Sequence, residues 1–212
     1  TEIYTLSLHD ALPILPEHIK SPIAQMASPP IRNLATLGGN ICNASPAGDS
    51  LPMLYALDAC LHLESVRGRQ TVSISEFISA PGRTCLEPDQ LLTAIEIPLI
   101  KCRTHYYRKV GQRQANSISK VSFYAAADYD KQRIHWVRIA LGAVAPTVVR
   151  SPAAEGLLAG LDASGLKAVI PAVINIYQGL LSPVDDVRST QQYRREVSLR
   201  LLENYLTREL MK

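Results

Sequence analysis

The chain lacks the compositional extremes that mark special protein classes. Charged residues make up only 19% of its 212 residues, and its 11 glycines and 14 prolines are an average share. A disordered tail, a coiled-coil rod and a collagen-like or low-complexity protein are therefore excluded. The longest apolar stretch, residues 166–181, is interrupted by Lys167, Pro171, Asn175 and Gln178. This stretch is a poor candidate for a membrane span.

The four cysteines lack the spacing of a metal site. Cys42, Cys60, Cys85 and Cys102 include no C-x-x-C pair and no closely spaced histidine partners, so we expect this chain to hold neither zinc nor an iron–sulfur cluster. Free thiols fit a cytoplasmic protein. The formal net charge of +3 is too small to indicate a nucleic-acid-binding protein. An apolar share of 47% is ordinary for a globular protein with a core.

The first fourteen residues resemble a translated DNA sequencing adapter. Read in frame, a common adapter encodes the run from Thr1 to Ile14 in order. We therefore expect residues 1–14 to be artefactual and the natural N-terminal part of the protein to be missing. His9 and Asp10 are accordingly left out of any proposed site.

Hydropathy patterns divide the remainder into two units. In the first, a helix runs toward Pro29-Pro30, a loop-rich segment spans 31–50, and a helix begins after Asp49-Ser50. A hairpin turns at Arg67-Gly68-Arg69, and a capping box is predicted at Ser73. In the second unit the apolar period changes from 2 to 3.6. This pattern predicts strands over 106–110, 121–129 and 133–144, then helices over 153–159, 168–180 and 190–210.

Basic residues are concentrated between Lys101 and Lys109, where no acidic residue occurs. Two interpretations remain open. The run forms a solvated strand edge, where basic side chains discourage aggregation, or it creates a positive field for a phosphate or an acidic partner.

The segment from Ile31 to Ser50 carries the strongest chemical signal. Gly38-Gly39 permits backbone torsions and close approaches that a β-carbon would forbid. Successive N–H groups in such a bend form a concavity that binds anions, and Asp49 can accept hydrogen bonds from ligand hydroxyls. A phosphate and a polyol in one ligand suggest a nucleotide or a flavin.

Other interpretations of these residues remain open at this point. An ordinary tight turn would also use two glycines, and Asp49 could simply cap the following helix. The G-x-G-x-x-G fingerprint after a strand and the G-K-[ST] phosphate loop are both absent from the sequence.

The whole segment resembles the second flavin-binding signature of the FAD-binding medium subunits of molybdenum hydroxylases. This family includes xanthine dehydrogenase and aerobic carbon monoxide dehydrogenase. Its pattern R-N-x-A-T-x-G-G-N-I, followed by S-P-x-x-D-x-x-P, matches the run from Arg32 to Pro52. Residues 107–113, 138–150 and 185–195 resemble the family's strand after the flavin domain, its C-terminal-domain hallmark and its closing helix.

The resemblance implies an α+β fold with two domains. Residues 15–100 would form the second subdomain of a PCMH-type, vanillyl-alcohol-oxidase-like FAD-binding domain. Residues 101–212 would form a carbon monoxide dehydrogenase flavoprotein-type C-terminal domain, with a three-stranded antiparallel sheet plus helices. The G-G-T-D loop of the family's N-terminal subdomain is absent from the sequence, so weak FAD binding or none is expected of this chain alone.

The resemblance also implies FAD as the cofactor and assigns roles to particular residues. Backbone N–H groups would line the FAD pyrophosphate at Thr36, Leu37, Gly38, Gly39 and Asn40.

The flavin end of the cofactor would meet a second group of residues. Asp49 would hold a flavin-side hydroxyl or ring edge, and Leu92 would pack near the isoalloxazine. Arg108 or Lys109 would place a cation near the flavin, and the sequence leaves open which. Ordinary strand packing and surface charge remain the alternatives for the last three positions. No catalytic side chain and no metal ligand is expected in this chain.

The implied chemistry is electron transfer carried by the cofactor. In the family, a molybdopterin-binding large subunit oxidises the substrate, and a 2Fe-2S subunit passes the electrons to FAD. NAD⁺ or another acceptor then receives them, and neither nucleic acid nor a membrane is involved. Two other functions remain open: a flavin-free interaction subunit of the same complex, and a flavin-dependent UDP-sugar reductase. The second would need a substrate acid or base that the sequence does not reveal.

Overall fold

The computed structural model describes residues 2–3, 15–113, 116–130 and 133–212. Glu2–Ile3 forms strand β1, which pairs with residues 95 and 96. The rest of the adapter-like segment lies outside the described residues. The interpretation of residues 1–14 as adapter sequence stays a prediction.

The N-terminal domain opens with four short helices. Prolines occupy the first helical positions of two of them, where the missing N–H has no helical acceptor to lose. A third helix is capped by Thr36, whose Oγ1 accepts a hydrogen bond from the Gly39 N–H at 3.0 Å. The helices are α1 (Glu17–Ala24), α2 (Pro29–Leu34), α3 (Leu37–Cys42) and α4 (Leu51–Ala56).

The prediction of a loop-rich segment over residues 31–50 is therefore wrong over much of its length, because α2 and α3 lie there. Each of these helices has only six residues, which is too short for an apolar period to show in the sequence. Isolated helices of this length are unstable in water. Here the N-cap at Thr36 and the burial of Leu37 and Ile41 hold α3 in place.

An antiparallel sheet packs beside these helices in the order β1-β6-β2-β3. The predicted hairpin is confirmed, since Ser65 pairs with Gly68, whose φ is +133°. The capping box is also confirmed, because Ser73 and Glu76 exchange hydrogen bonds at the start of α5. The elements are β2 (Cys60–Ser65), β3 (Gly68–Ser73), α5 (Ile74–Phe77), β4 (Ile78–Ala80), β5 (Arg83–Thr84) and β6 (Leu91–Glu96).

The C-terminal domain contains an antiparallel sheet in the order β10-β9-β8-β7. The predicted three-stranded sheet is confirmed, and a two-residue strand extends it at one edge. The strands are β7 (Thr104–Val110), β8 (Val121–Tyr129), β9 (Ile134–Gly142) and β10 (Val149–Arg150).

Three helices and a π-helical turn cover one face of this sheet. The second helix begins five residues before its predicted start, because the Asp162 side chain caps it by accepting from the Gly165 N–H at 2.7 Å. The last predicted helix changes its hydrogen bonding at Tyr205. The elements are α6 (Pro152–Leu158), α7 (Ala163–Leu180), α8 (Gln191–Asn204) and the π-helical turn Tyr205–Glu209.

Strand β8 joins the two domains, because all nine of its residues are buried. Successive side chains of a strand point to opposite faces of the sheet. Tyr124 and Ala126 accordingly belong to the core formed with the N-terminal helices. Phe123 and Ala125 belong to the core formed with α7 and α8. One sheet therefore serves both domains and fixes the elements of one against those of the other.

Candidate functional site

The loop between α3 and α4 packs against the sheet of the C-terminal domain. The Pro46 carbonyl accepts a hydrogen bond from the Ala143 N–H at 2.8 Å. At Gly142, a β-carbon would clash with Ser122 Oγ on the neighbouring strand and would lie 2.9 Å from Pro52 Cγ. That distance is closer than real contacts allow, so glycine at this position is what lets the loop and the start of α4 approach the sheet.

Asp49, at the end of this loop, is bonded through both of its carboxylate oxygens. Oδ2 lies 2.5 Å from Lys109 Nζ, and Oδ1 accepts a hydrogen bond from Ser119 Oγ at 2.5 Å. The Asp49 and Lys109 side chains are each 10% exposed, and Ser119 is fully buried. A buried carboxylate that is both ion-paired and hydrogen-bonded meets the conditions under which a protein interior tolerates the charge.

The alternation of β7 decides between the two basic candidates. Tyr107 and Lys109 lie on the face that meets Asp49, whereas Arg108 lies on the opposite face and is exposed. Burial, reinforced by the negative charge of Asp49, raises the pKa of Tyr107 well above its ordinary value. The structure therefore brings Lys109, and not Arg108, to the acidic residue.

A cavity of about 410 Å³ opens beside this ion pair. It lies between α2, α3, the loop after α3 and strand β7, and its volume falls within the range of small-molecule sites. Its charged and amide side chains are those of Arg32, Asn40, Asn43, Asp49, Lys109 and Asn116.

Arg32 is the lining residue with spare hydrogen-bonding capacity. Its Nη1 donates to the Met26 carbonyl at 2.5 Å. Its Nε is buried and has no hydrogen-bond partner among the residues that the structure describes. An unpaired buried donor is unfavourable, so a ligand acceptor at this position would complete the site.

The glycine pair is arranged differently from the sequence prediction. Gly38 and Gly39 lie inside α3, and neither has a positive φ. Both the tight turn and the special torsions are therefore wrong, because the Thr36 cap starts a helix here. Helix geometry leaves the first N–H groups, at Leu37 and Gly38, without an acceptor inside the helix. The Leu37 side chain is in the core, so only its backbone could contact a ligand.

The remaining predicted residues lie close to α3. Leu92 on β6 is half-buried, with Cδ2 3.7 Å from where a β-carbon at Gly38 would stand. Asn40 Oδ1 accepts a hydrogen bond from Ser50 Oγ at 2.7 Å. Ser50 is the N-cap residue of α4, so the capping role considered for Asp49 is wrong. Of the predicted residues, Asn40, Asp49 and Lys109 meet at the cavity.

The basic residues between Lys101 and Lys109 have different contacts in the structure. Lys101 lies 3.6 Å from the carboxylate of Asp128. Arg103 lies over the Tyr129 ring at 5.0 Å and donates to the carbonyl of that residue. Both interpretations fit part of the run. Lys101 and Arg103 contact residues of β8 beside the edge strand, whereas Lys109 supplies positive charge to the cavity.

The cavity thus presents a guanidinium, an ammonium, three amides and a carboxylate, set among apolar residues such as Met26, Ile31 and Ile118. This donor set fits a small molecule that carries both an anionic group and hydroxyls, as a dinucleotide does. No group of three or more His, Cys, Asp or Glu residues in the described ranges could hold a metal ion. In the same ranges, no helix combines the length and the apolar character needed to cross a bilayer.

Two family models match the chain in succession. Residues 1–100 match the FAD binding domain in molybdopterin dehydrogenase, and residues 105–208 match the CO dehydrogenase flavoprotein C-terminal domain. Both domains of the chain thus match those of a flavin-binding class of oxidoreductase subunit. More specifically, the chain belongs to the family of FAD-binding medium subunits of xanthine dehydrogenase and carbon monoxide dehydrogenase.

Curated relatives agree with this assignment. The chain is 32% identical over 176 residues to the xanthine dehydrogenase FAD-binding subunit of Escherichia coli O157:H7, which covers 81% of this chain and 59% of the relative. It is 30% identical over 170 residues to the nicotinate dehydrogenase FAD-subunit of Eubacterium barkeri, covering 75% and 57%. The chain therefore spans less than two thirds of the length of these relatives.

Solved structures share the fold. Carbon monoxide dehydrogenase from Hydrogenophaga pseudoflava superposes with a TM-score of 0.83 at 23% identity, covering 93% of this chain and 70% of the other. Quinoline 2-oxidoreductase from Pseudomonas putida 86 gives 0.80 at 22% identity, covering 96% and 70%. The family, the α+β fold and the FAD assignment of the domain are confirmed. The domain boundaries and the roles of individual residues stay predictions.

Proposed function

We propose that this chain binds FAD in the cavity beside Asp49 and Lys109 and acts as an electron-transfer subunit of a molybdenum hydroxylase. The observation that carries this proposal is the ion pair itself. It is buried, and Ser119 bonds its carboxylate. It lies at a cavity where Asp49, from the domain that matches an FAD-binding family, meets Lys109 from the C-terminal domain.

The residues at the start of α3 would hold the diphosphate. The backbone N–H groups of Leu37 and Gly38, which have no acceptor inside α3, would donate to it. Those of Gly39 and Asn40 already donate to Thr36 Oγ1 and to the Thr36 carbonyl. Arg32 Nε would add a charged donor from the cavity wall.

The flavin end would lie toward the ion pair. Asp49 would accept from a ribityl hydroxyl or a ring edge, using lone pairs that Lys109 and Ser119 leave free. Lys109 would place its positive charge beside the ring, and Leu92 would offer apolar contact. When bound, FAD supplies the one- and two-electron chemistry, which side chains cannot provide.

The partners would be a 2Fe-2S subunit and a molybdopterin-binding large subunit, in a cytoplasmic complex. NAD⁺ or another acceptor would take the electrons. Relatives whose names describe medium chains or FAD subunits of dehydrogenases support this arrangement.

Titration with three flavins tests the proposal. The chain should quench FAD fluorescence saturably, with the weak affinity expected without the family's G-G-T-D loop. It should bind FMN and riboflavin more weakly still, because only FAD of the three carries a diphosphate. Lys109→Met should weaken FAD binding about tenfold, as expected for loss of a charge-assisted contact. Arg108→Met, which changes the neighbouring residue on the opposite face, should leave FAD affinity unchanged. Absence of FAD binding, or equal affinity for riboflavin, would contradict the proposal.

A further inference from the structure

Ser119 is a buried residue with a specific bond to the proposed cofactor site. It lies just before β8, where the adjacent Lys120 N–H donates to the Val110 carbonyl at 2.8 Å and fixes the backbone. Its side chain is fully buried, and its Oγ donates to Asp49 Oδ1 at 2.5 Å. The two bonded residues are seventy positions apart in the sequence, so the contact is a product of domain packing.

This bond limits the orientation of the Asp49 carboxylate. The terminal torsion of an aspartate is broad, and Lys109 carries a compact ammonium on a flexible chain. A contact at Oδ2 alone would therefore leave the carboxylate plane free to turn. A second donor at Oδ1 fixes the plane, and with it the directions of the lone pairs that remain available to a ligand.

We propose that Ser119 is a positioning residue of the cofactor site, which aims the Asp49 carboxylate at the flavin end of FAD. This inference rests on the proposed function, since it assumes that Asp49 contacts the cofactor. It adds a residue from the C-terminal domain whose effect on FAD is exerted entirely through Asp49.

The chain supplies a matched control in Ser122. This serine is also fully buried, on the adjoining strand β8, but its Oγ has no hydrogen-bond partner among the described residues. Ser119→Ala and Ser122→Ala therefore remove the same atom from similarly buried positions, and only the first removes a bond to Asp49. Ser119→Thr keeps the donor, and Ser119→Cys keeps the side-chain size with a weaker donor.

The test measures FAD affinity, the visible spectrum and the midpoint potential of the bound flavin in the full chain, with thermal unfolding as a check on folding. Ser119→Ala should weaken FAD binding about tenfold, as for a buried bond to a charged group, and should shift both the spectrum and the potential. Ser119→Thr should restore them, Ser119→Cys should give intermediate values, and Ser122→Ala should match the wild type.

Two outcomes would overturn the inference and leave the proposed function intact. If the wild type binds FAD and the folded Ser119→Ala variant has the same affinity, spectrum and potential, Ser119 does not position Asp49. If Ser119→Ala unfolds, a folded Ser119→Cys variant with wild-type flavin properties overturns the inference equally. A wild-type chain that binds no FAD overturns the proposed function, and the inference with it.

Discussion

Replacing Asp49 by asparagine should destabilise the protein strongly, even without flavin. The substitution leaves the Lys109 ammonium, whose side chain is only 10% exposed, without its counter-charge. Breaking a buried ion pair from one side costs about 3–5 kcal/mol, because the remaining charge stays desolvated. Ser119 can still donate to the new amide oxygen, so the loss reports mainly on the ion pair. For a chain of this length, a change of ~3 kcal/mol lowers Tm by about 6–12 °C.

Guanidinium unfolding followed by circular dichroism measures this effect. The matched variant is Asp49→Asn combined with Lys109→Met, which leaves no buried charge and should recover most of the lost stability. Exposed ion pairs contribute less than about 1 kcal/mol, so a loss of unfolding free energy that small for Asp49→Asn would contradict this prediction. Additive losses for the two substitutions would contradict it as well.

Two further predictions concern the contact between the domains. Gly142→Ala should lower the unfolding free energy by about 1–3 kcal/mol, because its methyl group would clash with Ser122 Oγ and lie 2.9 Å from Pro52 Cγ. Gly156→Ala in α6, where no atom beyond the neighbouring helix backbone lies within 4 Å of the new methyl, should not be destabilising, and equal denaturation midpoints would contradict this. Burial lowers the pKa of His18 and of His105, so the folded state binds fewer protons than the unfolded state. Unfolding free energy, measured between pH 7.5 and 5.5, should therefore fall below about pH 6.5; His18→Gln should flatten this dependence, and an unaltered slope would count against the assignment.

Local signals predicted the fold where they were strong. The hairpin turn after Ser65 and the capping box at Ser73 depend on residues within a few positions of each other, and both form as predicted. Strands β8 and β9 of the C-terminal sheet carry runs of apolar residues, at 123–127 and 139–141. Helices α2 and α3 were missed because six residues are too few for an apolar period to show in the sequence.

The candidate site likewise combines residues that a local sequence pattern marks with residues that only the fold brings together. The motif pointed to Asp49 and to a basic residue at 108 or 109, but only strand pairing shows that Lys109 faces the acid. Ser119 was missed because its partner lies seventy residues away, and no local pattern marks it. Arg32 was quoted within the motif, but its unpaired Nε depends on the folded cavity wall.

A crystal structure of the chain with FAD would show whether the cofactor occupies the proposed cavity. The diphosphate should meet the N–H groups at the start of α3, and the flavin end should lie against Asp49 and Lys109. A cofactor bound elsewhere, or one that leaves the Asp49–Lys109 pair outside its contact distance, would contradict this prediction.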